Sequence, residues 1–241
     1  LYHDDITGRV LTYRLLKAAD RGVRVRLLLD DMATKGIDSP LATLDSHPNI
    51  EVRIVNPFAN RGFRALETLA RFDTVTRRMH NKSFSVDNLM TVVGGRNVGD
   101  EYFGTHENVN FGDLDVLAVG PAAVEVGNQF DLYWNSKLAY PIQTLAGGPG
   151  DLDRLRRDLK EYDLAQRETP YAQHARDSDL VQQFIAGTLP FQWGDALVFY
   201  DLPEKLLTDP EDRSTHLGPK VQPYTIGAVK RDLLLFSPYF V

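Results

Sequence analysis

Residues 82–93 have the pattern of two short strands with an Asp-Asn pair between them. Asp and Asn tolerate the positive φ angles of a tight turn, so this pattern predicts a β-hairpin with a two-residue loop. In the register that such a loop sets, His80 faces Gly95 and Lys82 faces Val93. The pairing limits the chain to folds in which both strands are antiparallel neighbours in one sheet.

One face of the predicted hairpin gathers polar groups that can react or bind an anion. Since side chains alternate along a strand, His80 and Lys82 share this face with Gly95 and Asn97, whereas Asp87 points to the other face. Gly95 is expected to leave an open space opposite the imidazole, which a phosphate could occupy. Asp87 is predicted to be structural, stabilising the turn through side-chain bonds to the backbone.

These residue types match the needs of phosphodiester chemistry. A phosphodiester resists attack, so it requires a nucleophile, stabilisation of the phosphoryl oxygens and an acid for the leaving alkoxide. A histidine can be a neutral nucleophile or a charged acid near neutral pH, which makes His80 the candidate for either role. The predicted phosphate ligands are one cation, one side-chain amide and two backbone amides: Lys82, Asn97, Gly94 and Gly95.

A carboxylate is expected to bond the second imidazole nitrogen and so select its tautomer. Asp113 is the first candidate for this catalytic role and Asp115 the second, because both enter the strand that follows the hairpin. We refer to the predicted catalytic and substrate-binding residues together as the half-site: His80, Lys82, Gly94, Gly95, Asn97 and Asp113.

No metal ion and no cofactor are predicted. The chain has no cysteine, which excludes thiolate ligands and cysteine nucleophiles. The Asp-rich segments at 3–5 and 30–31 fall at strand or helix ends, where Asp is common for structural reasons. The histidines outside the hairpin lack the paired spacing of metal ligands; they are His3, His47, His106, His174 and His216.

The balance of charge argues against a nucleic-acid partner. The net charge is −6 at pH 7, so a broad electropositive surface is not expected. One local exception is a run of basic side chains before and within the hairpin: Arg61, Arg64, Arg71, Arg77, Arg78 and Lys82. Its position favours contact with anionic lipid head groups, although a solvated basic face explains the run equally well.

Helices and strands alternate in the first half of the chain. Apolar spacing predicts a helix at 6–20 and a strand at 23–30, and the unit repeats as a helix at 39–44 and a strand at 50–55. This alternation is typical of an α/β domain with a mixed central β-sheet flanked by helices.

The second half is expected to be less regular. The further predicted elements are a strand at 114–119, a helix from Pro121 with Val124, Phe130 and Trp134 in the core, helices at 151–165 and 179–186, and strands at 196–200 and 231–241. No apolar run approaches the ~20 residues of a membrane-spanning helix. We expect a first lobe at 1–142, an irregular connector or insertion at 143–228, and the first strand of a second lobe at 229–241.

The hairpin is similar to the signature HxK(x)4D(x)6G(G/S)xN of the phospholipase D superfamily, and the match from His80 to Asn97 is complete. A chance match is on the order of one in 10⁵ at ordinary residue frequencies. Flanking segments resemble the bacterial cardiolipin synthase branch, most nearly its C type: 28–32, 49–53, 56–58, 99–103 and 130–135. The resemblance covers 1–142 and is weaker through 241.

The resemblance implies two phospholipase D-like lobes, each with one motif, whose histidines meet across a cleft. His80 would form a phosphohistidine, with Lys82 and Asn97 as phosphate binders, while the partner histidine protonates the leaving group. Residues 235–241 resemble the first strand of a second lobe, so the partner motif would follow residue 241. The first strand of the present lobe would precede Leu1.

The same resemblance implies transfer of a phosphatidyl group between lipids at the bacterial inner membrane, with the protein peripheral or anchored by segments outside this chain. The expected product is cardiolipin, made from an anionic phospholipid such as phosphatidylglycerol and a second phospholipid. Residues 1–241 alone are expected to be inactive, since one histidine of the pair is missing.

Two other functions fit the half-site. Hydrolysis of phospholipid or nucleic acid uses the same residues with water as the acceptor, and two copies of one chain could complete a nuclease site. The acidic net charge argues against the nuclease. The other function is non-enzymatic, an inactive lobe that binds anionic lipid or another lobe.

Overall fold

The computed structural model describes residues 2–34, 36–58, 78–106, 108–209 and 211–232. The helices are α1 Ile6–Asp20, α2 Asp38–Asp45, α3 Pro121–Trp134, α4 Leu152–Gln166, α5 Pro170–Asp177, α6 Asp179–Ala186 and α7 Leu217–Thr225. The strands are β1 Val25–Asp30, β2 Ile50–Val55, β3 Ser83–Val86, β4 Met90–Gly94, β5 Asp115–Val119 and β6 Ala139–Pro141. The predicted α/β class is confirmed, and the strands within the described ranges are arranged in two three-stranded sheets.

Two predicted features fall largely outside the described residues. They are the basic side chains between 61 and 77 and the strand at 231–241, of which only the first two residues are described. Within the described ranges, no helix is both long enough and apolar enough to span a membrane. The boundaries after residues 142 and 228 stay predictions.

The first sheet carries the main core. β1 and β2 run parallel, and β6 joins the other edge of β2 in antiparallel orientation. Apolar residues of these strands pack with α1 and α2 in one cluster, whose fully buried members include Leu16, Val52 and Ile54. Helix α1 has the predicted bounds, and Asp5 caps it by accepting the backbone amide of Gly8 at 2.9 Å.

The second sheet contains the predicted hairpin, with β4 between β3 and β5. Asp87 and Asn88 form its turn with φ angles of 53° and 54°, as predicted. The predicted register, however, is wrong by one residue. The amide of Leu89 donates to the carbonyl of Val86, yet Val86 pairs with Met90 in the ladder. Leu89 is therefore an extra residue on one strand, as in a β-bulge.

The bulge changes which residues face each other. Val93 pairs with Ser83 and not with Lys82, and the same ladder continues to β5. Extending this register places Lys82 opposite Gly94. Because β4 ends at Gly94, the direction of the side chains at 95–97 no longer follows from strand alternation.

The two faces of the hairpin have different surroundings. Ser83 lines a small cavity together with Phe130 and Tyr133 of α3. Phe84, the next residue, is 49% exposed. Since successive side chains of a strand point to opposite faces, Lys82 lies on the same face as Phe84, turned away from α3.

The first helix of the predicted connector packs on the first lobe. α4 lies against α1 and contributes Leu159 to the main core. The side chain of Asp163 is 1% exposed and accepts hydrogen bonds from Arg14 at 2.7 Å and from Arg167 at 2.9 Å. These two cations compensate the buried carboxylate. Helix α4 is thus part of the packing of the lobe, although it follows the predicted boundary.

Two predictions for the second half are wrong. No strand forms at 196–200, because none of the described strands lies alongside to pair with it. Val124 is 43% exposed and is therefore not a core residue, whereas Trp134 at the end of the same helix is buried as predicted. The helices predicted at 151–165 and 179–186 are confirmed, within one residue, as α4 and α6.

Candidate active site

His80 lies at an exposed position just before β3. Because it precedes the ladder, its predicted pairing with Gly95 is not formed. No hydrogen bond reaches the imidazole from the part of the chain that the structure describes. Partial desolvation lowers the pKa of His80, the positive charges of Lys82 and Lys205 lower it further, and Asp30 acts in the opposite direction. The imidazole is therefore mainly neutral at neutral pH.

Lys82 supplies a cation next to this imidazole. Its Nζ donates a hydrogen bond to the backbone carbonyl of His80 at 2.8 Å. Desolvation lowers the pKa of Lys82, while the carboxylates of Asp113 and Asp30 act in the opposite direction. A partly desolvated ammonium group thus lies beside the histidine with two acidic groups within electrostatic range.

Asp113 occupies a position that differs from the predicted one. A methyl group at Gly95 would collide with Oδ1 of Asp113, so the open space predicted over Gly95 is filled on the side where a β-carbon would lie. The predicted bond from Asp113 to the imidazole of His80 is absent. The physical reason is the altered hairpin: His80 stands outside the ladder, and Asp113 packs on Gly95 within electrostatic range of Lys82.

Arg96 ties the segments around the glycine pair together. Its Nε donates to Oδ2 of Asp115 at 2.6 Å and its Nη2 donates to the carbonyl of Asp113 at 3.1 Å. A third bond runs from Nη1 to the carbonyl of Tyr102. Asp115 also packs so closely on Gly94 that a methyl group there would collide with it. Asp115, the second candidate for bonding the imidazole, is therefore paired with an arginine.

Asn97 follows the end of β4, and its side chain is buried. The residue is 8% exposed, and its Nδ2 donates to the hydroxyl oxygen of Tyr102 at 2.7 Å. Sequence reasoning did not identify Tyr102 or Arg96 as supporting residues. The position of Arg96 inside the signature is a signal that could have found it.

Asp30 is a further residue of the site that sequence reasoning treated only as a strand-end Asp. It is 3% exposed and accepts the backbone amides of Met79 at 3.0 Å and Met32 at 2.9 Å. Burial raises the pKa of Asp30, and the charge of Arg78 and the two backbone bonds oppose that rise. Since Met79 directly precedes His80, Asp30 attaches the start of the motif to the end of β1.

A cluster that could hold a cation lies at the start of α1. Ligand atoms of His3, Asp5 and Glu101 are all within 4.8 Å of one another. The two oxygens of Asp5, however, accept the backbone amides of Gly8 at 2.9 Å and Asp100 at 2.8 Å. These bonds account for the carboxylate without an ion, and the absence of a metal stays a prediction.

The pKa of His80 is expected to lie below 6.5, because desolvation and neighbouring cations both disfavour the imidazolium. Replacing Lys82 with methionine removes one cation and should raise that pKa. NMR titration of the isotope-labelled imidazole measures both values, with Lys137→Met at an exposed position as the control. A pKa at or above 6.5, or no rise in Lys82→Met, would contradict this electrostatic description.

Comparison with known proteins places the chain in a family. Residues 2–134 match the family described as "Cardiolipin synthase, PLD-like domain". The matched range covers more than half of the chain and contains every residue of the half-site. No solved structure matches the chain significantly.

Curated bacterial proteins show the same relationship. Over its whole length the chain is 41% identical to Cardiolipin synthase C of Escherichia coli, of which it covers 51%. It is 31% identical over 63% of its length to Cardiolipin synthase A of Pseudomonas putida, covering 33% of that protein, and 29% identical over 57% to a Cardiolipin synthase of Staphylococcus aureus, covering 26%. The chain thus spans about half the length of these relatives, or less. It belongs to the cardiolipin synthase family of phospholipase D-like proteins.

Proposed function

We propose that the full-length protein transfers a phosphatidyl group from one phospholipid to another and so makes cardiolipin. A nitrogen of His80 attacks the phosphorus of phosphatidylglycerol. The bond from phosphorus to the oxygen of the head-group glycerol breaks, and a phosphatidyl group remains on the imidazole as a phosphohistidine. The hydroxyl group of the second phospholipid then attacks the same phosphorus and releases His80. The observation that carries this proposal is a histidine whose backbone carbonyl accepts a hydrogen bond from the ammonium group of Lys82, in a chain that belongs to a family of cardiolipin synthases.

The electrostatics of the half-site support the first step. A neutral imidazole has a lone pair available for attack, and Lys82 can stabilise the negative charge on the phosphoryl oxygens. Asn97 and the backbone amides of Gly94 and Gly95 are the further proposed phosphate ligands. Asp113 remains a proposed residue of the site, with a role that acts through Lys82, because its carboxylate lies within electrostatic range of that ammonium group.

The acid for the leaving glycerol is proposed to be the histidine of a second phospholipase D-like lobe in the chain beyond residue 241. It would donate a proton to the glycerol oxygen and, in the second step, remove one from the attacking hydroxyl group. The greater length of the relatives supports this division of the site. Asp87 is proposed to remain structural, in the turn of the hairpin.

The substrates of this reaction place it at a bilayer surface. We therefore propose that the protein acts at the bacterial inner membrane, bound peripherally or anchored by segments outside these residues. Anionic phospholipid is its proposed partner there, and no nucleic acid is expected to bind.

The products of full-length protein with labelled phosphatidylglycerol in mixed micelles test the proposal. Transfer yields cardiolipin and free glycerol in equal amounts. Phosphatidic acid as the main product would establish hydrolysis instead, and nicking of plasmid DNA without a lipid product would establish a nuclease. Lipid binding without any product would leave the inactive lobe as the function.

Residues 1–241 alone are expected to form cardiolipin at least about 10²–10⁴-fold more slowly than the full-length protein, since the general acid is missing. The same micelle assay measures both rates. Light scattering verifies that the shorter chain is monomeric, because two copies could bring two histidines together. If a verified monomer of residues 1–241 formed cardiolipin within about tenfold of the full-length rate, the site could not be divided between two lobes.

A further inference from the structure

The segment that carries His80 is not held by the second sheet. β3 begins at Ser83, so the ladder of the hairpin does not reach the histidine. No described residue bonds the imidazole, and the bond from Lys82 to the carbonyl of His80 joins residues only two positions apart. Such a local bond cannot fix the segment relative to the rest of the lobe. The direction of the imidazole therefore depends on how the backbone just before it is anchored.

Asp30 anchors this backbone from the end of β1. Its Oδ2 accepts the amide of Met79 at 3.0 Å, and its Oδ1 accepts the amide of Met32 at 2.9 Å. The residue is 3% exposed, so water does not compete for these bonds. Because β1 belongs to the main core, the bond to Met79 sets the position of the residue before His80 relative to that core.

Arg78 makes a second attachment of the same segment. Its Nη1 lies 3.6 Å from Oδ1 of Asp30 and donates to the carbonyl of Asn56, which follows β2, at 3.2 Å. Its Cζ lies 4.5 Å from the centre of the Phe58 ring, an arrangement that favours a cation over an aromatic face. The side chain of Arg78 is only 4% exposed. The arginine thus joins the residues before His80 to the ends of both parallel strands.

Asp31 fixes the aromatic surface on which Arg78 packs. Its Oδ2 accepts the amide of Phe58 at 2.7 Å, and its Oδ1 accepts the hydroxyl group of Thr34. Asp31 and Thr34 are both 0% exposed. Two neighbouring carboxylates at the end of β1 therefore hold Phe58 and Met79, and Arg78 lies between them.

We propose that Asp30 and Arg78 are positioning residues, which together fix the backbone before His80 so that its imidazole is aimed at the phosphorus of the lipid. This inference rests on the proposed phosphatidyl transfer, in which His80 is the nucleophile. A nucleophile must approach to about 3–3.5 Å in the correct direction, and a displacement of about 1 Å can cost on the order of 10²-fold in rate. Neither positioning residue needs to touch the lipid to affect the rate.

Asp30→Asn tests the anchor with a side chain of the same shape. An amide group has one acceptor oxygen where the carboxylate has two, so it cannot bond the amides of both Met32 and Met79. The full-length variant should lose about 10²-fold in kcat for cardiolipin formation, while the KM for phosphatidylglycerol stays within about threefold. Lipid is still bound, but the nucleophile no longer points at it.

Asp163→Asn is the matched control. Asp163 is also a buried carboxylate paired with an arginine, Arg14, but it lies on α4, which packs on α1. Both variants should lower the melting temperature, because each removes a buried charge that has a partner. A purely structural role for Asp30 predicts that kcat per folded protein is unchanged in both. Only Asp30→Asn should lower it, and equal kcat values in the two variants would overturn the proposal.

A double variant tests whether the two positioning residues act through one anchor. If they do, Asp30→Asn combined with Arg78→Met should lose no more kcat than Asp30→Asn alone. Losses that add would show two independent effects and would overturn the pairing of Asp30 with Arg78.

Arg78→Lys tests the same proposal if Asp30→Asn does not fold. Lysine keeps the charge beside Asp30 but lacks the planar group that packs on Phe58. Its kcat should fall about tenfold, with KM within about threefold. An unchanged kcat in this variant would remove Arg78 from the positioning of His80.

Amide hydrogen exchange at residues 79–81 of the full-length protein separates this inference from the proposed function, because it needs no reaction. Exchange should become about tenfold faster in Asp30→Asn and stay unchanged in Asp163→Asn. If the wild-type protein makes no cardiolipin but exchange still depends on Asp30, the proposed function fails and the anchor stands. If cardiolipin forms normally and neither exchange nor kcat responds to Asp30→Asn, the anchor fails and the proposed function stands.

Discussion

Replacing His80 with alanine is expected to reduce cardiolipin formation by the full-length protein by about 10⁴-fold or more. That factor is at the upper end of what a single proton-transfer group contributes, and here the nucleophile itself is removed. His80 is exposed and no described residue bonds its imidazole, so the substitution should leave the fold intact. Cardiolipin formed from labelled phosphatidylglycerol in mixed micelles is the measurement.

A second histidine provides the control for this result. His106 is exposed in the loop before β5, outside the half-site, and His106→Gln should retain full activity. Circular dichroism and the melting temperature confirm that both variants fold. Undiminished synthesis by a correctly folded His80→Ala protein would remove His80 from the reaction.

Replacing Lys82 with methionine is expected to lower kcat by about 10²–10³-fold, the usual loss when one preorganised donor to a developing oxyanion is removed. Methionine keeps much of the length and the apolar stem of lysine, so the change removes mainly the charge. The bond from Nζ to the carbonyl of His80 is also lost, but that carbonyl lies at an exposed position where water can replace it. Rate measurements at saturating phosphatidylglycerol report the change in kcat.

Lys137 is the matched control for the Lys82 variant. It is exposed after α3, and Lys137→Met removes the same charge without touching the half-site. A drop in both variants would indicate a general effect of net charge on binding to the micelle. If Lys82→Met raised only KM, Lys82 would bind substrate and transition state equally well and would not stabilise the transition state.

Local patterns predicted most of the regular structure. The helix at 6–20 follows from apolar spacing and the cap at Asp5, and the strand at 50–55 follows from strict alternation. Both signals are local, because they depend on neighbours within a few residues. The strand predicted at 196–200 had the right composition, but none of the described strands pairs with it, and pairing is decided by residues far away in the chain.

The hairpin was predicted correctly in its turn and incorrectly in its register. Turn chemistry predicted the positive φ angles of Asp87 and Asn88, which the structure confirms. A single bulged residue, Leu89, then moved every pairing by one position. Sequence periodicity cannot detect the bulge, because one extra residue hardly changes the local preference for a strand. Whether a bulge forms is decided by the twist and packing of the whole sheet.

The sequence by itself determined the chemistry available to this protein: the imidazole, cation, amide and glycine pair that lie within eighteen residues, and the family to which they belong. Only the tertiary structure decided which groups surround the imidazole. Asp113 packs on Gly95 and does not bond the imidazole, and Asp30 secures the segment before His80. The reason is physical, because electrostatic contacts depend on distance in space, and the chain folds its distant segments together only through the packing of its helices and sheets.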